Sequence, residues 1–261
     1  MPLLVGHSLQ IKEAFLNEYA TPNGALVSGT QTAYVLALNF DMLPEVLRKQ
    51  AAERLVDNIK SYDNHLTTGF LGTPYLCDVL TRFGYDTIAY KLLLQKTYPS
   101  WLYPVTMGAT TIWERWDGEK PDSTFENPGM NSFNHYAYGA IGDWMYRKMV
   151  GIDTYEDGVG YKHIKIKPHI GGGFTYASAS LDTYYGKVSN SWKIENGNLI
   201  MDVTIPANTM ATVFVPAKNA EVVKEGGKDL SQVNDIKVKG TEAGYVELEL
   251  GSGVYHFEVK K

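Results

Sequence analysis

The stretch AYGAIGDWMYRKMVGIDTYEDGVGYKHIKIKP, from Ala137 to Pro168, contains a change of period. Ala137, Ile141, Trp144, Met145 and Met149 recur at three- and four-residue steps, which predicts helix. Gly151 follows as a stop signal. From His163 to Lys167 apolar and polar residues alternate, which predicts a strand, and Pro168 closes it. The chain therefore reads as helices before Gly151 and short strands after Gly160.

Working back from Ala137, five further helices are predicted. The first starts at Ser8 and carries Leu9, Ala14, Phe15, Leu16 and Tyr19 on one face; Ser28 or Thr30 caps the second, through Tyr34 and Leu38. Pro44 opens the third, with Glu45 in its first turn and Leu47, Ala51, Leu55, Val56 and Ile59 at helical spacing. The fourth runs from about Pro74 to Gly84, and the fifth from Asp86 to Lys96, closed by Pro99. The sixth begins near Asn131–Asn134, which puts His135 at a helix N-terminus. Forward of Gly160, strands are predicted at Thr175–Thr183, Gly186–Glu195, Asn198–Ile205, Thr209–Val215, Tyr245–Leu250 and Val254–Val259, with Asn196–Gly197 as a hairpin turn. Many short antiparallel strands at regular spacing predict a β-sandwich.

Bulk properties narrow the function. The chain has 261 residues, 44% hydrophobic and 20% charged, enough for one large or two ordinary globular domains. A net charge of -5 gives no basic footprint for nucleic acid. No apolar run is long enough for a membrane helix, and MPLLVGHSLQ does not read as a signal peptide. These features leave the location of the protein open. Cys77 is the single cysteine, so an internal disulfide and a multi-cysteine zinc site are excluded. His163 and His169 lack ligand spacing, His65 and His256 have no partner visible in sequence, and no metal or cofactor is expected.

The candidate chemistry lies in the long connection Tyr98–Gly129. Its prolines and glycines break regular structure, while Trp101, Tyr103, Trp113 and Trp116 argue for an ordered, functional loop. Glu114 sits between Trp113 and Arg115. A carboxylate among indoles can be desolvated, which raises its pKa, while a nearby arginine lowers it; such tuning suits a general base. A surface ion pair between Glu114 and Arg115 is the other reading, and composition does not separate the two. His135, with Asn131, Asn134 and Tyr138 around it, offers the donors and acceptors that sugar hydroxyls need, or is a histidine packed on Tyr136 and Tyr138. Asp143 precedes Arg147 by four residues and reads as a helical ion pair. The segment Leu66–Tyr75 is either a tight entry to the fourth helix or the rim of a pocket.

GATTIWERWDG (Gly108–Gly118), preceded by YPSWLY and followed by NSFNHYAYGAIGDWMY, resembles the C-terminal half of the bacterial α-L-rhamnosidases of glycoside hydrolase family 78. TQTAYVLAL, TGFLGTPYL and YKHIKIKPHIGGGFTYASASLDTYYGKV support the likeness, which runs from about Ile11 to Val215. The resemblance implies the C-terminal half of an (α/α)6 barrel, about six helices over residues 1–155 carrying the catalytic-base loop. An antiparallel β-sandwich is expected over residues 156–261. It implies inverting hydrolysis of terminal α-L-rhamnosides in oligosaccharides or glycosides. By motif match Glu114 is the general base and His135 contacts the sugar. Trp113, Trp116, Trp101 and Tyr138 are assigned to the pocket walls. The family's general acid lies upstream of this match, so the chain is expected to be inactive alone, with Asp117, Glu119, Asp122 and Glu126 as weak substitutes. Half a barrel exposes apolar helix faces, and self-association through them is expected. Two other readings stand beside this one. One is a carbohydrate-binding or structural module using Tyr176, Tyr184, Tyr185 and Trp192. The other is a different (α/α)6 glycosidase or a polysaccharide lyase.

Overall fold

The computed structural model describes residues 2–260. Two compact units divide between Ile141 and Gly142. The first is helical: α1 (Pro2–Tyr19), α2 (Gln31–Asn39), α3 (Glu45–Ser61), α4 (Thr73–Arg82), α5 (Asp86–Leu94) and α6 (Leu102–Thr106). Of the two predicted caps, Thr30 is the one used. Its hydroxyl accepts from the Ala33 N–H at 3.2 Å, and the Ser28 hydroxyl bonds to Thr30 instead. In α3, Glu45 in the first turn and Lys60 in the last both suit the helix dipole. Ala51, Ala52, Leu55, Val56 and Ile59 face a core shared with Tyr34, Val35 and Leu38 of α2 and Leu76, Val79 and Leu80 of α4. Gln31 is fully buried and bridges the chain after α3: its side chain donates to the His65 carbonyl and accepts from the Thr67 N–H.

Three local expectations are corrected here. The fifth helix stops at Leu94 rather than Lys96. The Gln95 carboxamide accepts from the N–H groups of Lys96 and Thr97 and draws the chain out of the helix. The connection after it holds a short helix, α6, that proline content had argued against. Ser100 supports its start by accepting from the Tyr103 N–H, and Pro104 lies early enough that its missing N–H is not needed. The last helical stretch does not begin at Asn131–Asn134. It starts as a 3₁₀ turn at Ala137–Ala140, continues as α7 (Ile141–Trp144), and ends in a π turn, Met145–Val150. Gly151 then takes a left-handed conformation (φ +91°). A Cβ there would lie 2.4 Å from the Pro168 nitrogen, so both torsion and space demand glycine.

Among its described residues the second unit contains eleven strands in two sheets. One has the order β1-β2-β6-β10-β9, with β1 (Ile152–Thr154), β2 (His163–Ile166), β6 (Met210–Pro216), β9 (Ile236–Glu242) and β10 (Tyr245–Leu250). The other has the order β3-β4-β5-β11-β7-β8, with β3 (Tyr176–Thr183), β4 (Gly186–Glu195), β5 (Asn198–Ile205), β7 (Val223–Glu225), β8 (Lys228–Asp229) and β11 (Gly253–Val259). Strands β1, β7, β8 and β9 add to those predicted. Three of these are two or three residues long, and β9 is exposed along most of its length, so neither kind carries a clear alternation. All pairs are antiparallel except β2–β6, where three strands of the other sheet form the long connection that a parallel pair requires. Inward residues alternate as predicted: Ile164 and Ile166 on β2, Val213 and Val215 on β6, Met201 and Val203 on β5, Phe257 on β11.

Trp192 is only 1% exposed. Its indole N–H donates to the Met149 carbonyl at 2.9 Å, and Asn190 donates to the Val150 carbonyl, so two helix-terminal acceptors are satisfied by β4. Asp143 and Arg147 form the predicted i,i+4 pair at 3.3 Å, and Arg147 also reaches Asp153. No helix among the described residues is long and apolar enough to cross a membrane.

His256, without a partner visible in sequence, sits among three acids. Its Nδ1 is 2.6 Å from Asp202 on β5, its Nε2 3.4 Å from Glu258, and its backbone N–H donates to Glu225 on β7. The Asp202 hydrogen bond first, with the charges of Asp202 and Glu258 behind it, raises its pKa against the opposing effect of burial. A histidine with a raised folded-state pKa stabilises the fold below its unfolded pKa of about 6.5. That contribution is lost as pH rises through the folded value. Urea unfolding across about pH 5 to 8 should show a midpoint that falls with rising pH, and His256→Asn should flatten that slope; equal slopes would exclude the cluster as its source.

Candidate functional site

Two distant segments meet in the first unit. The Glu114 N–H donates to the Ser132 carbonyl at 2.9 Å, the Ser132 N–H donates to Glu114 Oε2 at 2.9 Å, and the His135 N–H donates to the Ile112 carbonyl at 2.8 Å. The Thr111 hydroxyl also donates to the Phe133 carbonyl. The run Thr111–Glu114 is thus laced to Ser132–His135, and the carboxylate itself is one of the lacing groups. This pairing explains why His135 is not at a helix N-terminus. The backbone of Ser132–His135 is committed to the facing segment, and helical turns start only at Ala137.

Under the lacing lies an aromatic cluster. Trp116 stacks on Tyr138 with centroids 3.7 Å apart, and Trp101 meets Trp116 edge-on at 5.7 Å. The Trp101 indole N–H donates to the Tyr138 carbonyl at 2.9 Å, which joins the loop to the 3₁₀ turn. Phe70 touches Tyr138 at 5.1 Å and stacks on the His135 imidazole at 4.9 Å. His135 also stacks beside the exposed Tyr136. So four of the expected site residues, Trp101, Trp116, Tyr138 and His135, share one chain of ring contacts. Trp113 belongs to a second one, edge-on to Phe133 at 5.0 Å, with Phe125 beyond. The four large expected wall residues are mostly buried, while Glu114 and His135 are half-exposed.

Phe70 was missed by sequence reasoning, although its segment was singled out. The signal available was the tight glycine–threonine entry to α4. There the Thr68 and Thr73 hydroxyls bond at 2.8 Å, and a Cβ on Gly72 would meet Thr32 and Thr68 at 2.9–3.0 Å. That tight entry leaves Phe70 against His135.

The ion pair between Glu114 and Arg115 is corrected by the geometry. Arg115 Nε points to Asp117 Oδ1 at 3.2 Å, and the Asp117 hydrogen bond holds the guanidinium pKa up. Two other loop acids are engaged as well: Glu126 with Lys120 at 3.6 Å, and Asp122 with the Thr124 hydroxyl and N–H. Burial pushes the Tyr138 phenol up; Arg115 opposes this, while Asp117 and Glu114 add to it, so the phenol stays a neutral donor. His65, also unpartnered in the sequence reading, has its ring nitrogens against the Tyr62 carbonyl and the Thr97 hydroxyl. Among the described residues no group of three or more His, Cys, Asp or Glu side chains could hold a metal ion.

Gly118 closes the loop. A Cβ there would lie 2.8 Å from Asn131 Oδ1 and 3.2 Å from the Trp113 ring, while the Asn131 amide donates to the Gly118 carbonyl. Gly118→Ala should therefore destabilise the fold by about 1–3 kcal/mol, the usual cost of overpacking, and should perturb tryptophan emission. Urea titration by fluorescence checks this; an unchanged midpoint would mean the turn has room to yield.

Residues 7–149 match the family model described as the bacterial alpha-L-rhamnosidase 6 hairpin glycosidase domain, and residues 151–229 match the bacterial alpha-L-rhamnosidase C-terminal domain. An alpha-L-rhamnosidase of Streptomyces avermitilis is 42% identical over 250 residues, covering 96% of this chain and 23% of that protein. One from Formosa agariphila is 42% identical over 252 residues, covering 96% of this chain and 27% of that protein. The crystal structure of the Streptomyces avermitilis enzyme complexed with L-rhamnose superposes with a TM-score of 0.90 at 42% identity, over 97% of this chain and 24% of that one. The native Aspergillus terreus enzyme gives 0.84 at 34% identity, over 98% and 27%. The chain thus spans about a quarter of the length of these relatives.

Proposed function

The chain belongs to the bacterial α-L-rhamnosidase six-hairpin glycosidase family, and from that premise we propose that it supplies the catalytic base and part of the sugar pocket of an inverting α-L-rhamnosidase. The observation that carries this reading is the Glu114 carboxylate itself. One oxygen is fixed by the Ser132 N–H, and the side chain stays half-exposed, so its other oxygen can meet water. A base must be held still to direct its proton acceptance, and a backbone donor does this without a competing positive charge. Glu114 takes a proton from water, the hydroxide oxygen attacks the anomeric carbon, and the bond to the leaving oxygen breaks as a general acid protonates it. We assign that acid to the part of the longer relatives that precedes this match. Three of the four loop acids that could replace it, Asp117, Glu126 and Asp122, are tied to Arg115, Lys120 and Thr124. Trp101, Trp116 and Tyr138 support the pocket from below, Trp113 holds the loop's other side, and His135 with Phe70 meets the sugar. The helical part, taken to about residue 155, forms the site, and the sandwich after it is its neighbouring domain.

The module reading loses one of its four contacts, because Trp192 is buried and bonded to a backbone carbonyl. Tyr176, Tyr184 and Tyr185, 72%, 101% and 36% exposed, are its remaining support.

Release of aryl alcohol from an aryl α-L-rhamnoside tests the proposal. The chain alone should show no turnover. Joined to the preceding half of the barrel it should turn over, releasing the β-anomer first by NMR, and Glu114→Gln should cut kcat by roughly 10²–10⁴-fold. Turnover by the chain alone, abolished by the same substitution, would place a complete acid–base pair within it.

Self-association has its own support in the first unit. Phe15, Tyr19, Leu26, Leu36 and Phe40 line an apolar groove of about 380 Å³ between α1 and α2, and Leu9, Ile11 and Tyr19 are exposed on α1. Sedimentation velocity should show a concentration-dependent dimer or higher species that Phe15→Glu weakens; a monomer throughout would refute it.

A further inference from the structure

The outer face of the five-stranded sheet carries an arrangement that the catalytic reading does not use. Along β2 and just beyond it, Ile164, Ile166 and Pro168 point inward, and His163, Lys165, Lys167 and His169 lie half-buried on the other face. Aromatic rings alternate with these cations. His163 stacks on Tyr155 at 4.3 Å. The Lys165 ammonium is 5.5 Å from the Tyr155 centroid and 6.0 Å from that of Phe214 on β6. The Lys167 ammonium is 4.9 Å from both Phe214 and Tyr245, and His169 lies 6.2 Å from Tyr245.

Two of these cations have no carboxylate within ion-pair distance. Among the described residues neither Lys165 nor Lys167 has a carboxylate partner. The nearby Asp153 is shared by Arg147 and Lys148, and Asp157 faces His163. Glu249 on β10 is held by Lys237 and Lys239. Glu247 shares the outer face, in register with Phe214 and one strand beyond it from β2, and its charge reaches Tyr155. Burial first, then Lys148 and Lys167, lowers the Lys165 pKa, and Asp153 only partly opposes this. Ring faces attract both ammoniums but do not neutralise them. Like charges brought to one ring, in a chain of net charge -5, leave a local positive surplus that a bound anion would remove. Same-face positions on a strand repeat at about 6.6–6.8 Å, so the row favours an extended polymer over a compact ion.

We propose that this face binds an anionic polysaccharide, uronate- or sulfate-bearing, laid along β2 with its acid groups at Lys165 and Lys167 and its sugar rings against the edges of Tyr155, Phe214 and Tyr245. The choice of a carbohydrate rests on the glycosidase reading above. The anionic character rests on the lysines.

Native electrophoresis of the chain through gels containing polygalacturonate, dextran sulfate or unmodified dextran tests this. Retardation by at least one anionic polymer and not by dextran is expected, and Lys165→Gln/Lys167→Gln should weaken it at least tenfold. Retardation by polygalacturonate alone assigns uronate, by dextran sulfate alone sulfate esters, and by both a general anion site. No retardation, equal retardation by dextran, or an unaffected double variant overturns the proposal. Should circular dichroism show the double variant unfolded, Lys167→Gln alone should still weaken binding about threefold, and no change in it overturns the proposal equally. Glu114→Gln should leave retardation intact, which separates this surface from the catalytic reading; loss there would place the binding in the pocket and overturn it.

Discussion

The paired contacts between Glu114 and Ser132 are the constraint on which the helical unit's site depends. Eighteen residues separate the two positions, and the intervening chain contains prolines and glycines rather than long elements. Closing such a loop costs conformational entropy that grows slowly with length, so a few well-placed bonds suffice to hold it. One bond is made to a carboxylate, and charge-assisted hydrogen bonds are the stronger kind. The proposed base is therefore also a structural group: the carboxylate that would accept a proton already helps to hold the loop that presents it.

What regular secondary structure does elsewhere, aromatic packing does here. Trp101, Trp116 and Tyr138 give the connection a small core of its own, and the Trp101 N–H ties that core to the start of the next helix. Packing of this kind is intolerant of added volume, and Gly118 is where the tolerance runs out. The half-exposed His135 is set by the same means, resting on Phe70 from the segment that enters α4. Rigid rings with few torsions lose little entropy on ordering, which suits a site that must be formed before its substrate arrives.

The sandwich solves a different problem. A helix ending in a π turn leaves carbonyls without partners, and Asn190 and Trp192 reach up from β4 to meet those of Val150 and Met149. Buried polar side chains are thereby spent on backbone groups rather than on ligands. On the outer face of the other sheet side chains meet side chains instead: the β2 lysines lie over the rings of Phe214 and Tyr245.

The sequence by itself determined the division into helices and strands, because periods of 3.6 and 2 are written in the positions of apolar residues. It determined seven strands to within a residue or two of their ends and placed Glu114 and His135 in the two segments that meet. It did not reveal α6 or the short strands β1, β7 and β8, since two to five residues are too few to show a period. It put His135 at a helix start and offered Arg115 to Glu114, because adjacency in sequence was the only distance available. Only the tertiary structure decided those points. The Ser132–His135 backbone was claimed by a segment some twenty residues away, Arg115 turned to Asp117, and Phe70 was delivered to His135 from another helix entry. The reason is physical: local propensity is set by each residue and its near neighbours, whereas hydrogen-bond partners and stacked rings are chosen by whatever the fold brings within a few ångströms.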